Sequence, residues 1–312
     1  MQSVFVFPGQ GSQSVGMMKE LAARDGVVNE TFAEASGALG YDLWQLVTGG
    51  PAEKLNETVH TQPAMLAADV ATWRCWLNAG GARPAAVAGH SLGEYAALVA
   101  AGVLGFPEAV KLVRERAERM QQAVPAGIGA IAAVLGLEDD QVAAACTEAA
   151  QGEVVEPVNF NSPGQLVIAG HAGAVQRALE ACKARGAKRA VLLPMSVPAH
   201  SSLMQVAAQG FATTLRNAAL AAPQIPFWSP VDAQRHDTAE DIRGLLVSQL
   251  ASPVRWTALV QALVAAGHSQ LVECGPGKVL TSLNRRIDKR PELQCVALQD
   301  GAALDGVLAS AS

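Results

Sequence analysis

Short runs of apolar, β-favouring residues alternate with longer alanine-rich stretches along most of the chain, and this alternation limits the fold more than any other feature. A run of four or five consecutive apolar residues has no polar side to offer water. Such strands belong in a sheet covered on both faces by helices, the arrangement of a largely parallel α/β protein. Strands are predicted at Val4–Phe7, Ala85–Ala88 and Gln270–Glu273. Helices are predicted at Thr61–Ala79, Glu94–Ala101, Phe106–Val124, Ser201–Ala219, Ala239–Leu250 and Val254–Ala266. Pro63 and Pro107 fall in first helical turns, where a missing N–H costs nothing, and Gly80 and Gly102 stop their helices. The turn Gly275-Pro276-Gly277 leads into a last helix.

Between residues 125 and 195 the order changes. Strand Ile128–Leu135 and helix Asp139–Ala150 are followed by strands Val154–Asn161 and Gln165–Gly170, joined by the turn Ser162-Pro163-Gly164. Helix Ala172–Arg185 and strand Arg189–Leu193 complete a β-α-β-β-α-β unit, the ferredoxin-like order. The expectation is a discontinuous main α/β-hydrolase-like domain, residues 1–124 and 196–312, with a ferredoxin-like subdomain inserted over residues 125–195.

Bulk properties exclude several classes of function. At 312 residues, 50% hydrophobic and 16% charged, the chain can bury a large core and does not read as disordered. A formal net charge of -5 offers no global attraction to nucleic acid or to an anionic membrane. No segment is long and apolar enough to cross a bilayer, and no charged leader precedes an apolar run at the N-terminus. Five cysteines without paired spacing read as reduced thiols in a cytoplasmic protein. No Cys/His ligand cluster suggests a metal, no bound cofactor is expected, and a monomer is the default expectation.

Gly89-His90-Ser91-Leu92-Gly93 fits the G-x-S-x-G elbow, and its setting strengthens the reading. An apolar strand precedes it and an Ala/Leu helix follows. A sharp strand-to-helix turn needs small flanking residues, lifts the serine hydroxyl above the sheet, and aims helix N-terminal N–H groups at developing negative charge. The alternative is a serine that merely caps its helix. A nucleophilic serine also needs a base. Of six histidines, His90 should leave the turn in another direction and pack, while His60, His171 and His236 lie in polar, surface-like surroundings. His200 follows Val197-Pro198-Ala199 where the chain re-enters the main body, over the expected cleft, although a helix-capping role is open to it.

Five segments occur together in order: Phe7-Pro8-Gly9-Gln10-Gly11-Ser12-Gln13, Gly89–Tyr95, Val158-Asn159-Phe160-Asn161-Ser162-Pro163-Gly164-Gln165, Val197-Pro198-Ala199-His200 and Gly275-Pro276-Gly277. With them the chain closely resembles the discrete bacterial malonyl-CoA:acyl-carrier-protein transacylases of fatty acid synthesis, over essentially its whole length. The resemblance implies Ser91 as nucleophile and His200 as general base. It implies backbone N–H groups of Gln10 and Leu92 as the oxyanion hole, and a backbone carbonyl of the Gln249 segment as the group that orients His200. It also implies malonyl-CoA as substrate and an acyl carrier protein as partner.

The same resemblance gives Arg116 the role of holding the substrate carboxylate. Helical spacing is consistent: Arg116 shares a side with Leu112, Val113 and Met120, while Arg114, Glu115, Glu118 and Arg119 fall on a solvated face. An inward guanidinium needs an anion, which malonyl supplies and acetyl does not. Two basic clusters, one containing Lys188 and Arg189 and the other Arg285 and Arg286, are either plain solvated surface or docking contacts for an acidic carrier protein. Rival readings are a serine thioesterase or hydrolase, an acyltransferase serving a polyketide pathway, and a non-catalytic carrier-binding protein. A start at Met1 with no flanking synthase segment favours a discrete enzyme.

Overall fold

The computed structural model describes residues 2–125, 127–195 and 197–311. Strand β1 (Ser3–Phe7) is followed by helices α1 (Lys19–Arg24), α2 (Val27–Leu39), α3 (Leu43–Gly49), α4 (Ala52–Leu55) and α5 (Thr58–Asn78), then β2 (Ala86–Gly89), α6 (Gly93–Ala100) and α7 (Phe106–Ala123). The middle runs β3 (Gly129–Leu135), α8 (Asp139–Ala150), β4 (Val155–Ser162), β5 (Gln165–His171), α9 (Ala172–Ala184) and β6 (Arg189–Leu192). The chain returns through α10 (Gln205–Asn217), β7 (Phe227–Ser229), β8 (Gln234–His236), α11 (Ala239–Ser248), α12 (Trp256–Ala265), β9 (Gln270–Glu273), α13 (Val279–Ile287), β10 (Gln294–Ala297) and α14 (Gly301–Ala311).

The larger sheet has the order β10-β9-β1-β2-β7-β8 and is parallel except for β8, which pairs antiparallel with β7. Strand β1 shows why its sequence could not alternate with polar residues. Phe5 and Phe7 point into the core under α5, where Phe5 meets Trp73 and Trp76 edge-on at centroid distances of 5.6 and 5.3 Å. Val4 and Val6 point the other way, into a second core with Trp256, Leu259 and Leu263 of α12. Each such buried side chain contributes about 1.5–3 kcal/mol.

The smaller sheet, β4-β5-β3-β6, is wholly antiparallel and has the ferredoxin-like order. One face carries Ala132, Val134, Leu166 and Ile168 against α8 and α9. The other presents Ile131 and Val167 to a cleft shared with the main body. The two bodies are tied by backbone hydrogen bonds, Val254 N–H to Val158 O at 2.8 Å and Phe160 N–H to Val254 O at 2.9 Å. No helix among the described residues is long and apolar enough to cross a membrane.

Several boundaries differ from the sequence reading. Helix α5 begins at Thr58, so Pro63 lies inside it instead of in its first turn. Residues Ser202–Met204 form a tight turn before α10, so no continuous helix starts at Ser201. Val254 is extended and joins β4, because its N–H and carbonyl are both taken there, and α12 starts only at Trp256. The helix after Gly277 is not the last: β10 and α14 follow it. The expected domain limits at residues 1, 196 and 312 fall outside the described residues.

Candidate active site

The elbow forms where β2 ends and α6 begins. Ser91 has φ 53°, a left-handed conformation that costs a non-glycine residue about 1–3 kcal/mol and that packing must enforce. The enforcement comes from the neighbouring strand. Phe7 pairs with Gly89, and the His90 N–H donates to Phe7 O at 2.9 Å. A Cβ on Gly93 would lie 2.0 Å from Phe7 O, and one on Gly9 would lie 2.5 Å from His90 O. The Pro8–Gly11 turn, which carries Gln10, and the serine elbow therefore touch backbone to backbone, which only glycine allows. The first hydrogen bond of the elbow is made by Gly93 N–H, to His90 O at 3.0 Å. The Leu92 N–H stands ahead of it at the N-terminus of α6.

His200 reaches the serine from the loop after β6. It too is left-handed, with φ 67°, and its own N–H donates to Leu250 O at 3.0 Å. The Ser91 hydroxyl donates to His200 Nε2 at 2.7 Å, and His200 Nδ1 donates to the carbonyl of Gln249 at 2.8 Å. A carbonyl can only accept, so Nδ1 carries the proton and Nε2 is left free to take one from the serine. Burial first, then the nearby Arg116 cation, pushes the imidazole down to about 3, so it rests as the neutral base.

Arg116 is fully buried on the inner side of α7, with Leu112, Val113 and Met120. On the outer side Arg114 pairs with Glu118 and Arg119 with Glu115. Arg116 Nη2 donates to Ser91 Oγ at 3.2 Å. The expectation that it requires an anion for a partner needs amending, because two neutral amides hold it here. Nε and Nη2 donate to Gln249 Oε1 at 3.1 and 3.0 Å, and Nη1 donates to Gln62 Oε1 at 2.8 Å. These contacts fix the plane of the guanidinium beside the serine without neutralising it. Gln62 was not anticipated, and a lone glutamine within Thr61-Gln62-Pro63 gave no signal for it.

Gln10, His90 and residues of the small sheet line a cleft of about 420 Å³. The side-chain Nε2 of Gln10 is buried without a partner. His90 does more than the packing expected of it: its Nε2 lies 2.9 Å from Asn161 Oδ1, bridging the elbow to β4, while its ring leans on Trp256. Across the cleft, Arg286 donates to Gln165 at 2.7 Å; Arg189 is exposed at the start of the edge strand β6, and Lys188 is exposed just before it. Arg285 is tied to the carbonyl of Cys295 at 2.8 Å. The five cysteines are free and buried, and burial raises the Cys75 and Cys146 thiols to about 12, which removes them as competing nucleophiles.

An activated serine, a neutral imidazole oriented by a carbonyl, N–H groups at a helix start and a buried cation together suit acyl transfer through a serine ester. Comparison with known proteins agrees. Residues 4–295 match the acyl transferase domain family. The chain is 56% identical to the malonyl CoA-acyl carrier protein transacylase of Salmonella typhimurium over 98% of its own length and 99% of that protein's. A crystal structure of an acyl carrier protein S-malonyltransferase from Vibrio cholerae superposes with a TM-score of 0.95 at 56% identity, covering 98% of this chain and 100% of that one. A malonyl-transacylase solved in complex with its type II PKS acyl-carrier protein superposes with a TM-score of 0.97 at 52% identity, covering 99% and 100%. The chain belongs to the malonyl CoA-acyl carrier protein transacylase family of acyl transferases.

Proposed function

We propose that this protein transfers the malonyl group of malonyl-CoA to the phosphopantetheine thiol of an acyl carrier protein, in the cytoplasm, for fatty acid synthesis. The observation that carries this reading is the pair of contacts on one oxygen: Ser91 Oγ is 2.7 Å from the neutral His200 Nε2 and 3.2 Å from Nη2 of Arg116. In a malonyl-serine ester the free carboxylate carbon is three bonds from Oγ. A guanidinium beside Oγ is therefore within reach of that carboxylate, and an acetyl group would leave it unanswered.

In the first half-reaction Ser91 Oγ attacks the thioester carbonyl as His200 Nε2 takes its proton. The Leu92 and Gln10 backbone N–H groups stabilise the oxyanion, which collapses to the ester and expels the CoA thiolate, protonated by His200. The second half-reaction runs in reverse sense. The carrier thiol gives its proton to Nε2 and attacks the ester, and Ser91 recovers the proton as it leaves. Binding of the malonyl carboxylate also offsets the Arg116 charge that holds the imidazole down, so the correct substrate makes His200 a better base.

The subdomain of residues 125–195 forms one wall of the entrance, and the exposed Lys188 and Arg189 and the rim residue Arg286 steer an acidic carrier protein toward it. Arg285, already bonded to the Cys295 carbonyl, contributes to the same patch. The test is incubation with malonyl-CoA, with and without holo acyl carrier protein. Transfer to the carrier thiol, with little release of free malonate in its absence, is expected. Steady hydrolysis without an acceptor would instead identify a thioesterase.

A further inference from the structure

Gln249 occupies a junction. Its backbone carbonyl holds His200, and its side-chain Oε1 receives two hydrogen bonds from Arg116. The amide Nε2 donates to the Ser91 carbonyl at 2.9 Å and to Glu94 Oε1 at 2.6 Å. Glu94 itself lies in the first turn of α6, 1% exposed, in a helix otherwise made of Gly, Ala, Leu, Val and Tyr. Its second oxygen accepts from Ser229 Oγ at 2.8 Å, at the end of β7. A carboxyl group at this depth is costly unless hydrogen bonds compensate it, and nothing in the acyl-transfer steps above uses it.

We infer that Glu94 is a positioning residue for the malonyl specificity of the site: anchored on Ser229, it holds the Gln249 amide so that the amide oxygen faces Arg116 and keeps the guanidinium beside Ser91. The chain of contacts runs Ser229, Glu94, Gln249, Arg116, Ser91, each step a heavy-atom distance of 3.2 Å or less. The device does not depend on the charge of Glu94. Burial raises this carboxyl to about 7 against the pull of its hydrogen bonds and of Arg116, and a protonated carboxyl still offers Oε1 to the Gln249 amide. A glutamine at position 94 preserves the same acceptor, and its amide can donate to Ser229 Oγ.

The inference rests on the malonyl transfer proposed above, and it separates two readouts. Labelling of Ser91 by a neutral fluorophosphonate requires the serine and His200 but no carboxylate partner. Acylation by malonyl-CoA requires Arg116 as well. In Glu94→Ala the malonyl acylation rate should fall about 10- to 100-fold, the cost of losing hydrogen bonds to a buried, charged network, while fluorophosphonate labelling changes less than about threefold. Glu94→Gln should recover most of the malonyl rate. An unchanged ratio of the two rates in Glu94→Ala, or a Glu94→Gln variant as defective as Glu94→Ala, overturns the inference. If the unaltered protein takes the fluorophosphonate but no malonyl group, the functional reading fails instead, and the two failures remain distinct.

Discussion

The main body and the inserted unit bury very different interiors. Around the serine the main body encloses Gln62, Glu94, Arg116, His200 and Gln249, almost wholly shielded from water and linked to one another. The inserted unit packs Val134, Leu166, Ile168, Val175 and Leu179 with no charged side chain among them. A dry, hydrogen-bonded network amplifies electrostatics and must be complete to be stable. An apolar core asks only for shape and volume. On the proposed mechanism the chemistry resides in the first body, while the second lines one side of the cleft.

That contrast predicts graded consequences. Ser91→Ala should abolish acylation, with malonyl transfer lowered by about 10⁴-fold or more, measured with purified carrier protein. Arg116→Ala should lower malonyl transfer by about 10²- to 10³-fold and relax the preference over acetyl-CoA, read from paired kcat/KM values. An unchanged preference would remove Arg116 from the carboxylate site. In the other body, Ile168→Ala should destabilise by about 2–5 kcal/mol in denaturant unfolding, yet the folded fraction should take a fluorophosphonate at the normal rate. A large loss of labelling by folded protein would show that the wall also supports the chemistry.

The bridge between the bodies should respond more weakly. Asn161→Ala removes the partner of His90, and the apparent KM for malonyl-CoA should rise about three- to tenfold, in keeping with one ordinary hydrogen bond. The pH dependence gives the finest distinction. His200 is held neutral down to about pH 3, so labelling of Ser91 should not decline through the usual imidazole range. Removing the Arg116 charge raises the imidazole toward its ordinary value, so Arg116→Ala should lose labelling at a higher pH than the parent protein. The same depression affects folding. Between pH 6.5 and about 3 the unfolded chain binds a proton at His200 that the folded one refuses, so stability falls as pH is lowered through that window.

What the sequence revealed, and what it hid, follows the same division. Strand β1 and the elbow were legible because unbroken apolar runs and paired glycines have few structural uses. The inserted unit was legible from element order, since all of its elements except the four-residue β6 are seven residues or longer and show their period. Helices α1, α3 and α4 escaped, being short, and α2 escaped despite its 13 residues because polar residues and Gly37 break up its apolar face; β7, β8 and β10 hold only three or four residues each, too few to display alternation. At the site, Ser91, His200 and Arg116 were proposed from their settings and the family resemblance, and the structure brings them within hydrogen-bond reach of one another through Ser91 Oγ. Gln62 and Asn161 were missed because an amide carries no signal until its partner is known. Glu94 did carry one, a lone carboxylate in an alanine-rich helix beside the elbow, and it was visible in Gly93-Glu94-Tyr95-Ala96-Ala97.

The expectations about malonyl transfer depend on a covalent malonyl-serine. Intact-protein mass spectrometry after brief exposure to malonyl-CoA, followed by peptide mapping, examines that bond itself. One malonyl group on the peptide containing Ser91, discharged when a thiol acceptor is added, is the result expected. No adduct, or an adduct on any other residue, would contradict it.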